Sequence, residues 1–255
     1  MATEWLCTPR KTAGMRALHI HHDANSLPGL IAEVLAERDV AAVPHQVCGT
    51  PGSPVGDPAF PDPTEFDLVV VFGSRWSVYD PAVAHWVEPE LELLRAADAA
   101  EVPVLGMCFG AQLLSAAHGG AVSPGSAPEV GWLTVEPAGS RDQSGSGSDG
   151  AEAGRAWVIE SGPWFQWHFD VFEVPPGGEL LATSPVGPQA FRLRANLATQ
   201  FHPEVDRDVV AGWFVDDVDQ VVDLGIDPSA LLAECDRRRA EARARARRLV
   251  DLVLG

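Results

Sequence analysis

The sequence is poor in cysteine and has no long apolar run. Its four cysteines, Cys7, Cys48, Cys108 and Cys235, are scattered along the chain and show no C-x-x-C spacing. This pattern speaks against a disulfide framework and against a structural zinc site. The sequence also has no signal peptide and no apolar stretch long enough to span a bilayer. We therefore expect reduced thiols in a cytoplasmic protein.

Basic residues are scarce as well. The chain has 18 Lys and Arg residues against 36 Asp and Glu residues, which gives a formal net charge of -18. This acidity excludes a general affinity for nucleic acid or for an anionic membrane, so neither is expected as a partner. With 255 residues, 46% of them hydrophobic, the chain is long enough to bury a full core. These values fit one α/β domain.

Short apolar runs alternate with longer amphipathic stretches. In the first half of the chain the predicted strands are 17–20, 40–46, 66–72 and 102–105, and the predicted helices are 27–37, 81–100 and 111–118. This order predicts an α/β fold with a mostly parallel central sheet flanked by helices. Further strands are predicted at 132–136, 157–159, 171–174, 180–183, 190–193 and 197–201, and helices at 208–224 and 228–252.

The predicted domain covers residues 15–255 and has a helical end, residues 207–255. We expect residues 1–14 to be a disordered extension, because they show no periodicity. Gly, Ser, Ala and acidic residues dominate 138–154, which predicts a flexible surface loop. Seven arginines lie within 237–248. A solvated helix face is the simpler interpretation of these arginines, and a docking surface for an acidic partner is the alternative.

Three histidines lie close together near the N-terminal end of the predicted domain. His19, His21 and His22 are followed by Asp23. A metal site would need these side chains to converge, but alternate residues of a strand point to opposite faces. A structural or loop role is therefore the favoured interpretation.

Cys108 lies where a predicted strand turns into a predicted helix. Gly106 and Gly110 flank it at a G-x-nucleophile-x-G spacing, which lets the chain turn sharply and exposes the central side chain. The free N–H groups at the start of the helix are also suited to holding an oxyanion. A free cysteine is as often a small buried hydrophobe, so the interpretation depends on finding a base elsewhere.

The segment His202-Pro203-Glu204 offers that base. Residues two apart in an extended segment project to one side, so Glu204 is able to orient the imidazole of His202. His202 would then take the thiol proton of Cys108 and return it to a leaving amine. The three residues together indicate a nucleophile, a base and an orienting acid.

Five motifs extend over the predicted domain: GSRWSVYD at 73–80, VPVLGMCFGAQLL at 102–114, PEVGW at 128–132, QWHFD at 166–170 and QFHPEV at 200–205. With them the sequence resembles the class I glutamine amidotransferases, especially the stand-alone proteins similar to the amidotransferase domain of GMP synthetase. The resemblance implies a flavodoxin-like α/β fold and a Cys-His-Glu triad of Cys108, His202 and Glu204. The implied reaction is hydrolysis of the glutamine side-chain amide through a glutamyl thioester, with release of ammonia. It calls for no metal and no organic cofactor.

The resemblance also implies roles for residues around the triad. The backbone N–H groups of Ser74 and Phe109 would form the oxyanion hole. The residues that would hold the substrate are Gly73, Gln112, Trp167, His168, Phe169 and Asp170. The family often has Gly-Gly-Pro at 73–75, Ser or Asn at 167 and Gly at 169. The bulkier residues of this chain lead to the hypothesis that its substrate is a γ-glutamyl compound larger than glutamine.

Three functions stay open at this stage. The first is an amidotransferase that supplies ammonia to a separate synthetase subunit. The second is a stand-alone γ-glutamyl peptidase or hydrolase with the same triad. The third, disfavoured by the intact triad, is a non-catalytic binding or regulatory module. Ammonia transfer predicts weak activity alone and stimulation by a partner, whereas a peptidase should be fully active alone.

Overall fold

The computed structural model describes residues 14–23, 25–139 and 157–255. The expected extension, apart from Gly14, lies outside these ranges, as does the expected loop 138–154 apart from its first two residues. The described strands are β1 (Arg16–His21), β2 (Ala41–Gln46), β3 (Leu68–Val71), β4 (Val104–Met107), β5 (Val122–Pro137), β6 (Gly162–Phe172), β7 (Glu179–Thr183), β8 (Pro188–Leu193) and β9 (Asn196–Thr199). The described helices are α1 (Gly29–Ala36), α2 (Ala84–Ala99), α3 (Phe109–Ala117), α4 (Arg207–Asp223) and α5 (Pro228–Leu254).

The nine described strands form one mixed sheet in the order β2-β1-β3-β4-β9-β8-β7-β5-β6. The pairs from β2 to β9 are parallel, and the pairs from β9 to β6 are antiparallel. The predicted α/β class with helices flanking the sheet is confirmed. All four residues of β3, LVVV, are buried, as expected of a strand covered on both faces. Helices α1 and α5 pack on one face and α2 and α3 on the other.

The sequence analysis misplaced several strands around the hairpin of β5 and β6. The predicted strand 132–136 is part of β5, the predicted strand 171–174 overlaps only the last two residues of β6, and residues 157–159 form no strand. Between Pro124 and Glu129 the register of the hairpin shifts, which marks a bulge. Proline and glycine in this stretch hide the alternation from which a strand is recognised.

Helix α5 uses most of its arginines within the molecule. Arg239 and Arg243 pair with Glu33 of α1, and Arg248 pairs with Glu160 before β6. Six of the seven arginines between 237 and 248 have an acidic partner in the described part of the chain, namely Arg238, Arg239, Arg243, Arg245, Arg247 and Arg248. The partners of Arg238 and one partner of Arg245 lie within α5, whereas the pairs with Glu33 and Glu160 link α5 to α1 and to the segment just before β6. The arginines between 237 and 248 are therefore better explained by ion pairs within the molecule than by a free docking surface for an acidic partner.

Candidate active site

The turn between β4 and α3 holds Cys108 in a strained conformation. Its φ of 50° and ψ of -107° lie outside the regions that a side chain normally allows. The flanking glycines are required sterically: a Cβ on Gly106 would lie 2.6 Å from the carbonyl oxygen of Gly110, and one on Gly110 would lie 2.3 Å from that of Val71. The Cys108 N–H donates to the Thr199 carbonyl at 2.8 Å, which fixes the turn against β9. The structure thus forms the predicted elbow.

His202 follows β9 and pairs with Glu204. Nδ1 of His202 lies 2.7 Å from Oε1 of Glu204, and both side chains are buried. The backbone N–H of His202 donates to the Phe165 carbonyl at 2.8 Å, which ties this loop to β6. Nε2 of His202 has no hydrogen-bond partner among the described residues. The imidazole is therefore oriented through one nitrogen and has the other available.

The thiol and the imidazole border the same point. A Cβ placed on Gly73 would lie 3.1 Å from Cε1 of His202 and 3.7 Å from Cβ of Cys108. Burial by itself lowers the pKa of His202, but the charge of Glu204 and the electrostatic interaction with the neighbouring Cys108 sulfur outweigh it and raise that pKa to about 10. The arrangement favours an imidazolium beside the Cys108 sulfur at neutral pH.

The expected oxyanion donors, Ser74 and Phe109, come from two different segments near Cys108. Ser74 follows β3, and its hydroxyl donates to the carboxylate of Asp23 at 3.3 Å. Phe109 is the first residue of α3, where backbone N–H groups have no acceptor within the helix. Its ring is buried, so only its backbone is able to face a substrate.

A cavity of about 410 Å³ opens beside Cys108. The loop after β3, strand β6 and helix α4 form its walls. Nine of the eleven predicted site residues line it: Gly73, Ser74, Cys108, Gln112, Trp167, His168, Phe169, Asp170 and His202. The other two, Phe109 and Glu204, adjoin it through the elbow and through His202.

Polar contacts hold the wall formed by β6 in place. His168 lies between two partners, with Nδ1 2.9 Å from the Asp170 carbonyl oxygen and Nε2 3.2 Å from the Glu129 carboxylate. The side-chain amide of Gln112 donates to the same carbonyl of Asp170 at 3.4 Å. The Asp170 carboxylate accepts from Ser77 at 2.5 Å. Strand β6 is thereby fixed against both the elbow helix and the loop after β3.

The sequence analysis did not foresee the wall formed by α4. Trp213 packs its ring against His202 at 4.9 Å between centroids, and Gln220 accepts a hydrogen bond from the Trp167 indole at 3.2 Å. Arg75 joins the loop after β3 to this helix through Asp217 at 3.0 Å. The lining residues that were not predicted are Asp23, Asn25, Ser26, Arg75, Trp76, Ser77, Trp213, Asp217 and Gln220. The only hint in the sequence that α4 lines the cavity was Trp213, a tryptophan within an otherwise acidic helix.

The histidines of β1 and the loop after it do not converge on a metal. Burial lowers the pKa of His19 to about 4, helped by the nearby His21, so its imidazole is neutral. His22 pairs with Glu90 instead. Within residues 14–23, 25–139 and 157–255, His, Cys, Asp and Glu nowhere gather in a group that could hold a metal ion. Nor does this part of the chain contain a helix of the length and apolarity that crossing a membrane requires.

Sequence comparisons give a consistent result. The family model described as "Glutamine amidotransferase class-I" matches residues 59–209. A GMP synthase (glutamine-hydrolyzing) from Bordetella avium is 32% identical over 145 residues, which are 55% of this chain and 26% of that protein. The same enzyme from Ralstonia pickettii is 29% identical over 182 residues, 70% of this chain and 32% of that protein. The chain thus spans about a quarter to a third of the length of these curated relatives.

Solved structures share the fold. A glutamine amidotransferase from Thermotoga maritima superposes with a TM-score of 0.76 at 23% identity, covering 94% of this chain and 98% of that one. A glutamine amidotransferase from Methylobacillus flagellatus gives a TM-score of 0.71 at 22% identity, covering 94% of this chain and 92% of that one.

Proposed function

Because the chain belongs to the class I glutamine amidotransferase family, we propose that it hydrolyses the side-chain amide of glutamine through a thioester on Cys108. One observation carries the proposal: the strained Cys108 elbow and the His202–Glu204 pair border one point of a cavity. A buried cysteine with only a packing role needs neither the strain nor a facing imidazole.

Acylation would begin with the thiolate of Cys108. Its sulfur attacks the side-chain carbonyl carbon of glutamine, and the carbonyl oxygen takes up negative charge. The N–H groups of Ser74 and Phe109 hold this oxyanion. Nε2 of His202 then protonates the amide nitrogen, so the C–N bond breaks, ammonia leaves and the glutamyl thioester remains.

Hydrolysis of the thioester would reverse the roles. His202, now neutral, takes a proton from a water molecule whose oxygen attacks the thioester carbonyl. The C–S bond breaks, glutamate is released, and Cys108 and His202 return to the ion pair. Glu204 keeps the imidazole oriented and stabilises the imidazolium. The side chain of Gln112 and the backbone at 168–170 would hold the amino-acid end of the substrate.

A γ-glutamyl compound is the second candidate substrate. The cavity extends past the triad to Trp213, Asp217 and Gln220 on α4, which is space that a free glutamine amide does not need. An amine substituent on the γ-carboxamide would lie against this wall. The thioester chemistry is the same, with an amine leaving in place of ammonia.

A synthetase that accepts ammonia is the partner we propose for the first candidate. The curated relatives are named GMP synthases, and this chain corresponds to about a quarter to a third of their length. We expect such a partner to raise glutaminase turnover. A γ-glutamyl hydrolase would show no such stimulation.

The test compares release of glutamate from glutamine and from γ-glutamyl dipeptides by the native chain, Cys108→Ala and Cys48→Ala. Cys48 is the matched control, because burial, helped by Asp23 and Glu90, raises its thiol pKa to about 11. We expect release that disappears in Cys108→Ala and persists in Cys48→Ala. Release with glutamine identifies an amidotransferase, and release with the dipeptide alone identifies the hydrolase. Release that survives in Cys108→Ala would contradict both.

A further inference from the structure

A second histidine–glutamate pair lies beneath the proposed active site. Nε2 of His22 is 3.0 Å from Oε2 and 3.1 Å from Oε1 of Glu90, and both side chains are fully buried. Nδ1 of His22 is 3.3 Å from the carbonyl oxygen of Gly73. The ring of Phe109 meets the imidazole edge-on at 4.8 Å. His22 therefore contacts Gly73, which precedes the expected oxyanion donor Ser74, and Phe109, which is the other expected donor.

Burying such a pair lowers the free energy gained on folding, so its presence calls for an explanation. Moving two charges out of water costs more than their mutual attraction commonly returns, and apolar residues of similar size would pack as well at this position. Glu90 comes from α2, which α1, β2 and β3 separate along the chain from the turn that carries His22. Since packing alone does not require these residues, the contact with Gly73 is the feature to be explained.

The orientation of one peptide unit follows from this contact. The peptide between Gly73 and Ser74 is trans, so the Gly73 carbonyl and the Ser74 N–H point in opposite directions. His22 takes up the carbonyl side. The Ser74 N–H is thereby turned away from His22, and Cys108 and His202 are the residues that approach Gly73 from the site.

We propose that His22 and Glu90 are positioning residues that fix the Gly73–Ser74 peptide, so that the Ser74 N–H is aimed at the oxyanion formed on Cys108. The inference rests on the proposed function. Both partners of His22, a carboxylate and a carbonyl oxygen, only accept hydrogen bonds, so the imidazole serves both when it carries two protons. An imidazolium also polarises the peptide that it contacts, which strengthens the opposite N–H as a donor.

The charges around His22 agree with this state. Burial alone lowers the pKa of His22, but the carboxylates of Glu90 and Asp23 and the contact with Gly73 outweigh it and raise that pKa.

Glu90→Gln is the decisive variant, because it keeps the shape of the side chain and removes its charge. His22 then loses one ring proton, and with it the positive charge that polarises the Gly73–Ser74 peptide; the new amide donates to Nε2, so the Nδ1 contact with Gly73 is kept without the charge. We expect kcat for the substrate that the native chain turns over to fall about 10- to 100-fold, somewhat less than the loss of a whole oxyanion donor, with KM little changed. Alkylation of Cys108 by iodoacetamide should keep its native rate, because that displacement forms no oxyanion. His19→Gln is the control, because His19 is a buried histidine of β1 and the hydrogen bond to the Gly73 carbonyl comes from His22. This variant should retain native kcat.

Nitrogen NMR of the labelled native chain is the second measurement and needs no variant. Two protonated ring nitrogens on His22 support the proposal, and a single one overturns it. Native kcat in a folded Glu90→Gln chain also overturns it, as does an equal loss in alkylation rate and kcat. If the native chain releases no glutamate in a Cys108-dependent manner, the proposed function fails and this inference fails with it. Native turnover with an unaffected Glu90→Gln chain refutes the inference alone.

Discussion

The molecule contains two histidine–glutamate pairs that differ in what their second imidazole nitrogen meets. In both, a carboxylate lies about one hydrogen-bond length away, 2.7 Å for His202 and 3.0 Å for His22. In both, an aromatic ring meets the imidazole edge-on, Trp213 at 4.9 Å and Phe109 at 4.8 Å. Nδ1 of His22 lies against the Gly73 carbonyl, whereas Nε2 of His202 has no partner in the described part of the chain. The comparison shows that the free nitrogen, rather than the pair itself, makes an imidazole available for proton transfer.

Charge does not distinguish the two pairs. Burial opposes protonation in both, and the neighbouring carboxylates outweigh it in both, so each pKa is raised. Access to the proton is the difference. His202 lines the cavity and His22 does not. We therefore propose that the same residue types serve as a reagent at one position and as a support at the other.

The largest expected effect separates the two histidines directly. His202→Gln removes the proton donor and acceptor, so we expect kcat/KM to fall about 10²- to 10⁴-fold. His22→Gln leaves the reacting groups in place, so its kcat/KM should fall only about 10- to 100-fold. Steady-state release of glutamate from the better substrate checks both. Equal losses would show that the comparison draws the wrong distinction.

Glu204→Gln should have the next largest effect, about 10²-fold on kcat/KM, together with a change in the pH profile. Because the pKa of His202 is raised to about 10, its proton is kept as the pH rises through 6.5 and is lost only as the pH passes about 10. The variant lacks the Glu204 charge, so its alkaline limb should move to lower pH. Glu88→Gln, on the exposed face of α2, is the control and should keep the native profile. An unmoved limb would contradict the role given to Glu204.

The sequence made one of these pairs predictable and left the other hidden. His202 and Glu204 are two residues apart, and Cys108 at its glycine-flanked turn required a base, which identified His202 as the candidate. His22 and Glu90 are 68 positions apart, and their contact depends on how α2 packs on the sheet. No local pattern encodes that distance. A structural or loop role was favoured for the histidine cluster, but Glu90 was not predicted as the partner of His22.

The same limit explains the rest of the site and fold. Apolar runs as uninterrupted as β3 identify buried strands, and the order of strands and helices gives the class. The wall of α4 was missed because the face that Trp213 presents depends on the packing of the helix. Strand β5 was shortened because Pro124 and Pro128 break its alternation. Long-range packing and irregular strands are what a local pattern leaves out.

A stability experiment sharpens the view of His22 as a support. Glu90→Leu leaves His22 as a buried group without its counter-charge and should cost about 3–5 kcal/mol of the free energy of unfolding. Adding His22→Leu should recover most of that loss, since an apolar pair replaces an ionic one. Urea denaturation measures both. Turnover of the double variant should nevertheless stay about 10- to 100-fold below native. Recovery of turnover together with stability would mean that the pair serves the fold alone.

The smallest expected effect concerns Trp213, the aromatic ring that meets the imidazole of His202 edge-on. An edge-to-face aromatic contact is worth about 0.5–1.5 kcal/mol, so Trp213→Leu should lower kcat by about 2- to 12-fold, through a less firmly held His202. Phe214→Leu, the next residue of α4, is the matched control, because its ring meets Trp167 at 6.0 Å and makes no recorded contact with His202 in the described structure. Initial rates at saturating substrate separate the two variants. A larger loss in Phe214→Leu than in Trp213→Leu would show that α4 acts through Trp167 and the cavity wall, and that the ring against His202 contributes nothing of its own.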